Sequence, residues 1–172
     1  ARTHDLSFRG ITALFGHFGM EWDVRTVQGK ERGELRRIVG LYKEHRDLIH
    51  SGRPVHADVA DDAFLLHGVV ADKPAAASTT AALFALVSTR TSAAEQPGRI
   101  GIPGLEDGRS YRVEVVFPTA DDADYRHTFT QVQPPAWLTE GAVATGRFLA
   151  EVGLPMPILN PEHALLLKVT AL

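Results

Sequence analysis

The sequence of 172 residues contains no cysteine, has an aromatic fraction of only 8% and carries a net charge of only −3. Without cysteine, the chain cannot form a disulfide, a thiol nucleophile or a cysteine-ligated metal site. Its longest stretch without a charged residue, 74–89, holds a proline and a Ser-Thr-Thr run. That stretch is too short and too polar to span a bilayer, which needs about 20 mostly apolar residues. The sequence therefore predicts no membrane partner and no disulfide framework.

Metal-binding motifs are also missing. The chain lacks a His-Glu-x-x-His motif and any close histidine pair backed by a carboxylate, so we expect scattered surface or core histidines rather than a metal site. Asp121, Asp122 and Asp124 resemble the start of a calcium loop, but the glycine at the sixth position and the closing glutamate are absent. We expect a solvated acidic loop there, and no metal or cofactor anywhere in the chain.

Charge is divided unevenly along the chain. Residues 1–54 carry 10 basic and 7 acidic side chains, whereas residues 55–172 carry 8 and 14. Such an asymmetry indicates two structural units. The basic residues of the first unit alternate with acidic ones, so we expect no nucleic-acid partner. The chain also opens Ala-Arg-Thr-His, without methionine or a leader-like segment, so we expect that this is not a natural start.

Helical patterns dominate the first unit. Thr3 is a suitable N-cap for a short helix, because apolar residues follow it at near-helical spacing. Residues 15–22 have two glycines and no helical period, which predicts a short buried strand. The amphipathic pattern from Lys30 to His50 predicts a long helix, which Gly52 and Pro54 end.

After Pro54, short runs rich in Val, Leu and Phe alternate with turn clusters. The predicted strands are Val55–Ala60, Ala63–Ala71, Ala82–Thr89, Arg99–Ile102, Tyr111–Phe117, Thr128–Val132 and Ala164–Thr170. Seven short strands over this length predict an antiparallel β-sandwich or open barrel. The segment 146–152 is compatible with a helical turn, and the alanine-rich run Ala75–Ala82 predicts an exposed loop.

The segment 16–23 concentrates the chemistry-bearing residues of the chain. His17, Glu21, Trp22 and Asp23 lie within it, and two carboxylates beside a tryptophan at a strand end would suit an active site. The alternative is that Glu21 and Asp23 cap or hydrogen-bond the loop. Acid–base work on a sugar needs two opposed carboxyl groups about 5–9.5 Å apart, and the sequence cannot establish that geometry.

Several stretches of the chain resemble family 36 glycoside hydrolases, the bacterial α-galactosidases. They are residues 2–4, 8–9, ALFGHFGMEWD (13–23), LYKEHRDLIHSGR (41–53), HGVV (67–70) and LPMPILNPEHALLL (154–167). The resemblance implies an N-terminal β-supersandwich, a catalytic (β/α)₈ barrel and a C-terminal antiparallel β domain. Residues 1–52 would then be the C-terminal remnant of the barrel, its last βα unit with the preceding helix, and residues 53–172 the all-β domain.

The same resemblance implies that this chain holds no catalytic residue. The family's nucleophile lies in a Lys-Trp-Asp motif and its acid/base in a Ser-Asp-Asn-Thr-Asp-like stretch, and neither motif occurs here. The retaining reaction needs both groups. We therefore expect the chain alone to be inactive, with a structural role in an enzyme that releases terminal α-linked galactose from oligosaccharides. Phe15, Phe18, Leu35 and Ile38 would lose their barrel neighbours and expose apolar surface.

The implied substrates of the parent enzyme are α-galactosides. The implied protein partners of this chain are the enzyme's own N-terminal and barrel domains and further copies of the enzyme in a homo-oligomer. The implied location is cytoplasmic. The alternative function is a non-catalytic carbohydrate-binding β-sandwich module that uses exposed aromatic side chains, for which Trp137, Tyr111, Tyr125 and Phe129 are the candidates. The substrate-contact candidates are thus Trp137, Glu21 and Trp22.

Overall fold

The computed structural model describes residues 4–21, 23–95, 98–122, 125–131 and 133–172. Its helices are α1 (Leu6–Leu14), α2 (Gly29–Ser51), α3 (Trp137–Glu140) and α4 (Gly146–Glu151), with 3₁₀ turns at Val24–Thr26 and Tyr125–Thr128. Its strands are β1 (Arg53–Ala57), β2 (Phe64–Val70), β3 (Thr80–Ser88), β4 (Arg99–Ile100), β5 (Ser110–Phe117), β6 (Ala142–Thr145), β7 (Leu154–Pro155) and β8 (His163–Ala171).

Six of these strands form one sheet in the order β1-β2-β3-β8-β5-β6. All neighbouring pairs in it are antiparallel, and β4 pairs with β7 in a separate two-stranded sheet. The long strands β3 and β8 occupy the centre, where residues 81–88 are buried throughout. This architecture confirms the predicted mainly β, antiparallel fold preceded by helices.

The main sheet separates two hydrophobic cores, because successive side chains of a strand point to opposite faces. On one face, Leu83 and Leu166 pack with Ile38 and the other apolar residues of α1 and α2. On the opposite face, Phe84 and Leu167 pack with apolar side chains from α3, α4, β4 and β7. The helices at the start of the chain are therefore part of the folded unit and cover one face of the sheet.

Gly10 of α1 packs directly against Ile38 of α2. A Cβ at position 10 would collide with Cδ1 of Ile38, so a larger residue there would force the Ile38 side chain to shift. Ile38 is consequently 2% exposed, and the expectation that it would be exposed is wrong. Leu35, Phe15 and Phe18 are partly buried in the same cluster.

Arg37 fastens α2 to the loop that follows β5. Its Nη1 lies 2.6 Å from Oδ2 of Asp122, and its Nη2 donates to the Val116 carbonyl at 3.0 Å and to Oγ1 of Thr119 at 3.2 Å. The Asp122 side chain is only 8% exposed. Asp122 is thus a buried ion-pair partner, and the expectation of a solvated acidic loop is wrong for this residue. Asp124 lies outside the described residues.

Helix predictions agree with the structure more closely than the shortest strand predictions do. The long helix is confirmed with an extra residue at each end, and the turn near 146–152 is helical. The first helix is also confirmed, but Asp5 occupies its N-cap, and Thr3 lies outside the described residues. Six of the seven strands predicted after Pro54 are present, whereas β6 and β7 were not predicted. The predicted exposed loop 75–82 is wrong at its end, because residues 80–82 belong to β3 and Ala81 and Ala82 are buried.

Two predicted strands are wrong over the residues that the structure describes. Residues 15–21 form a turn followed by irregular backbone. Residues 128–131 contribute the end of a 3₁₀ turn and a single bridge between Phe129 and Leu159. A strand exists only when a neighbouring backbone completes its ladder, and local sequence does not reveal that neighbour.

Candidate functional site

The predicted site segment 16–23 starts the path from α1 to α2. Asp23 caps the 3₁₀ turn at Val24–Thr26: its Oδ1 accepts from the Arg25 amide at 3.0 Å and from Arg25 Nε at 2.9 Å. Hydrogen bonds first from the Arg25 side chain and then from its backbone lower the pKa of Asp23. Asp23 therefore has the capping role that was the alternative to catalysis. Glu21 is exposed, and Trp22 lies outside the described residues.

Seven aromatic and imidazole rings, which we call the ring cluster, connect this segment to α2 and to the β1 edge of the sheet. They are Phe15, His17, Phe18, Tyr42, His50, His56 and His67. His17 stacks on His50 with 5.2 Å between ring centroids, and Tyr42 Oη lies 2.9 Å from His50 Nε2. These contacts hold the segment against α2.

The sheet side of the ring cluster centres on His67. Phe15 meets it edge-on at 5.0 Å, and His56 lies opposite it in the β1–β2 ladder. Burial, and secondarily the neighbouring His56, lowers the pKa of His67. Sequence reasoning missed this cluster, because its members come from the segment after α1 and from α2, β1 and β2, and no local pattern connects them.

An apolar groove, the α2 groove, lies on the other side of the same segment. Met20, Val24 and Val27 line it opposite Leu35 and Val39, and its volume is about 470 Å³. Met20 is 41% exposed and Val24 48%. Its rim carries Arg32, Arg36 and Lys43. A second cavity of about 130 Å³, which includes Glu21, lies between α1 and α2. Grooves with this lining suit an apolar protein surface better than a sugar, which needs convergent polar groups.

The aromatic residues considered for sugar binding do not form an exposed platform. Trp137 is 7% exposed and donates its indole N–H to the Pro155 carbonyl at 2.8 Å. Tyr111 is 2% exposed and Phe129 9%, while Tyr125 is half-buried and packs edge-on against Phe129. These four side chains belong to the core on the α3 and α4 face of the sheet.

The part of the chain that the structure describes holds neither a cluster of metal ligands nor a membrane-spanning helix. No three His, Asp or Glu side chains in those residues lie close enough together to hold a metal ion. No helix there is long and apolar enough to cross a membrane.

His45 is a buried titratable group between α2 and the sheet. Its side chain is 4% exposed, and its Nε2 lies 3.5 Å from Oε1 of Glu44. Burial lowers the pKa of His45, Glu44 opposes that change, and Lys168 on β8 adds to it. In the folded protein, His45 therefore stays neutral at pH values where an unfolded histidine, with a pKa of about 6.5, takes up a proton.

We expect the stability of the chain to fall as the pH decreases below about 6.5, because the unfolded state then binds a proton that folded His45 rejects. The free energy of unfolding should decrease by at most about 1.4 kcal/mol per pH unit from this single group. Urea unfolding at several pH values between 7.5 and 5.5 measures this slope. His45→Leu should reduce the slope and leave the part that comes from His67, whose pKa is lowered as well, whereas His127→Gln, at an exposed position, should not change it. An unchanged slope in His45→Leu would contradict the assignment.

Known proteins that are similar to this chain in sequence and those that are similar in fold belong to the same group of enzymes. Residues 1–52 match the family model described as Melibiase. The chain is 35% identical over 168 residues to an α-galactosidase from Escherichia coli, a match that covers 98% of this chain and 23% of that protein. The chain thus spans about a quarter of that relative's length.

Solved structures of α-galactosidases have the same fold over 99% of this chain and 20% of each of theirs. The enzyme from Lactobacillus brevis matches with a TM-score of 0.71 and 21% identity. A family 36 α-galactosidase from Geobacillus stearothermophilus, solved in complex with raffinose, matches with a TM-score of 0.70 and 18% identity. The galactosidase domain of an α-galactosidase–sucrose kinase matches with a TM-score of 0.72 and 21% identity. In sequence and in fold, this chain is thus similar to a part of the family 36 α-galactosidases that amounts to about a fifth to a quarter of the length of these relatives.

Proposed function

We propose that the chain is the C-terminal part of a retaining α-galactosidase that releases terminal α-linked galactose from oligosaccharides. Its role in that enzyme is structural. The nucleophile and the acid/base of the double displacement lie in the part of the enzyme that precedes residue 1, because the two motifs that would carry them are missing from these 172 residues. The fragment alone is inactive and needs no cofactor.

The division of labour within the chain follows the end of α2. Residues 1–52 contribute the last part of the catalytic (β/α)₈ barrel, and residues 53–172 form the C-terminal β domain. The Melibiase match over residues 1–52 and the start of β1 at Arg53 support this boundary. The enzyme works in the cytoplasm, and its partners are α-galactosides, its own upstream domains and other copies of itself.

The observation that carries this proposal is the α2 groove beside the irregular segment 15–21. A segment with the composition of a buried strand has no strand neighbour within the described chain. Met20 within this segment and Val24 just after it expose apolar surface. The preceding strands and helices of the barrel would pack against this segment. They would complete its strand ladder and fill the α2 groove. The candidates for substrate contact in this chain are Glu21 and Trp22, since Trp137 is buried.

Activity measurements on separated parts of the enzyme test this proposal. We expect no turnover of an aryl α-galactoside by this chain alone, and turnover by the full-length enzyme. Co-expression of the upstream part with this chain should restore activity through the α2 groove. Met20→Asp should then reduce the restored activity by about tenfold or more, since it transfers a carboxylate from water into the apolar part of a buried interface.

The matched control for this test is Leu65→Asp, which introduces the same charge at a position that is 53% exposed and outside the groove. It should leave the restored activity unchanged. Hydrolysis by the isolated chain would refute the upstream location of the catalytic pair. Equal effects of Met20→Asp and Leu65→Asp would refute the role of the groove.

A further inference from the structure

The α2 groove runs along one side of α2 for about three turns of that helix. The α2 residues that line it recur every three or four positions, which is the spacing of a single helix face. They are Arg32, Leu35, Arg36, Val39, Gly40 and Lys43. Between the first and the last of them, the helix axis rises by about 16 Å. The groove is therefore long enough for a second helix to lie along α2.

The charges along this groove are all positive and have no counter-charge. Arg32, Arg36 and Lys43 are exposed, and they form no ion pair or side-chain hydrogen bond within the described residues. None of the described residues that line the groove is acidic. Elsewhere on the same helix, Arg37 pairs with Asp122 at 2.6 Å. Cations that border an apolar surface favour a partner whose own apolar surface is bordered by carboxylates.

Gly40 indicates how closely such a partner approaches. It lies in the middle of α2, where glycine is unfavourable relative to alanine. A Cβ at this position would meet no atom within 4 Å, so no contact among the described residues makes glycine favourable there. A helix that crosses α2 at Gly40 would do so, because the distance between two packed helices depends on the size of the side chains at their crossing point.

We propose that the α2 groove is filled by a helix from the upstream part of the enzyme, and that acidic residues border the apolar stripe of this helix. Its carboxylates pair with Arg36 and Lys43, and its backbone crosses α2 at Gly40. This inference rests on the proposed function, in which the upstream part contributes the rest of a barrel with an outer ring of helices. The chain spans only about a quarter of the length of the α-galactosidase that it matches, so the upstream part is long enough to supply that helix.

The same charges disfavour a second copy of this chain as the occupant. A two-fold contact places the same surface of both copies face to face. Contact through the groove would therefore bring the three cations of one copy, Arg32, Arg36 and Lys43, against those of the other. Like charges that face each other across an interface repel and destabilise it. A partner that carries negative charge is free of this penalty.

Chemical modification of the full-length enzyme tests which surface lies against the groove. A carbodiimide joins a lysine amine directly to a carboxylate, so it reports only pairs that are in contact. We expect Lys43 to be joined to an aspartate or a glutamate of the upstream part, which mass spectrometry of the peptides identifies. We also expect acetic anhydride to modify Lys43 much more slowly than Lys73. Lys73 is the matched control, because it is exposed and lies outside the groove.

Variants of the full-length enzyme test the contact itself, with the half-life of the folded state at an elevated temperature as the readout, followed by tryptophan fluorescence. Arg36→Glu should shorten this half-life by about tenfold or more, because it opposes two negative charges. Lysine in place of the cross-linked carboxylate should then restore it. Arg46→Glu, at an exposed position of α2 outside the groove, should change it by less than about twofold. Gly40→Leu should also shorten the half-life, whereas Gly33→Leu, where a Cβ likewise meets no atom within 4 Å, should not.

Three results would overturn the proposal. A cross-link from Lys43 to a second copy would assign the groove to an interface between copies. Equal reactivity of Lys43 and Lys73 would show that the groove is open to water. Equal half-lives of Arg36→Glu and Arg46→Glu would show that the groove cations face no acidic partner. None of these measurements uses catalysis, whereas turnover of an aryl α-galactoside tests the proposed function, so failure of one is distinguishable from failure of the other.

Discussion

Gly68→Ala should strongly destabilise the chain, because the added methyl group has no room. A Cβ at this position of β2 would lie 2.7 Å from Cα of Phe84 and would overlap the Leu83 carbonyl oxygen. Both obstacles belong to the backbone of β3, which is paired on both sides and cannot move away. We expect the free energy of unfolding to fall by about 3 kcal/mol or more, since forced overpacking typically costs about 1–3 kcal/mol where side chains can still adjust.

Thermal unfolding followed by circular dichroism measures this loss. The expected fall in Tm is about 6–12 °C for a chain of this size. Gly33→Ala on α2 is the matched control, because no atom lies within 4 Å of the added methyl group. It should raise stability by about 0.5–1 kcal/mol through helix propensity. Equal melting temperatures for the two variants would contradict the close approach of β2 and β3 at Gly68.

Asp122→Ala should release α2 from the loop after β5. Oδ2 of Asp122 accepts from Arg37 Nη1 at 2.6 Å, from the Thr119 amide at 2.6 Å and from Thr119 Oγ1 at 3.1 Å. Removal of this carboxylate leaves the Arg37 guanidinium and the Thr119 amide without this acceptor, in a place that is largely shielded from water. We expect a loss of about 2–4 kcal/mol, at or below the range for a broken buried pair because the Arg37 side chain is 36% exposed.

A double-mutant cycle with Arg37→Met isolates the interaction between the two side chains. Urea unfolding of both single variants and the double variant should yield a coupling energy of about 1–3 kcal/mol. The surface pair Arg46 and Asp47, at 3.9 Å and with exposures of 60% and 100%, is the control. Its cycle should give less than about 0.5 kcal/mol. Equal coupling in the two cycles would show that burial of Asp122 does not strengthen its ion pair.

The helices were predictable because their signals are local. The apolar stripe of α2 and the stop at Gly52 and Pro54 lie within one continuous segment, and its observed bounds differ from the prediction by one residue at each end. The longer strands of the sheet were predictable for a similar reason, since runs such as residues 82–89 are too apolar to be exposed. In contrast, β6 has only four residues, Ala-Val-Ala-Thr, and its identity as a strand depends on β5.

The candidate site was less predictable than the fold. Motif reasoning selected Glu21, Trp22 and Asp23 as candidates for the site. It could not choose between catalysis and capping for Asp23, because that choice depends on the position of the Arg25 side chain. Trp137 was a plausible sugar contact until its indole N–H proved to bond to the Pro155 carbonyl, 18 residues away. The ring cluster and the Arg37–Asp122 pair were missed, because their members lie up to 85 residues apart.

By itself, the sequence determined the absence of cysteine chemistry, the long amphipathic helix, the strand-rich second part and the motifs by which the chain resembles family 36 glycoside hydrolases. These properties depend on residue type and on local periodicity, which the order of residues states directly. Only the tertiary structure decided that Ile38 is buried, that Asp122 is an ion-pair partner, that residues 15–21 form no strand and that residues 142–145 form a strand beside β5. Each of these depends on which distant backbone or side chain lies alongside, because burial and strand pairing are relations between segments rather than properties of one.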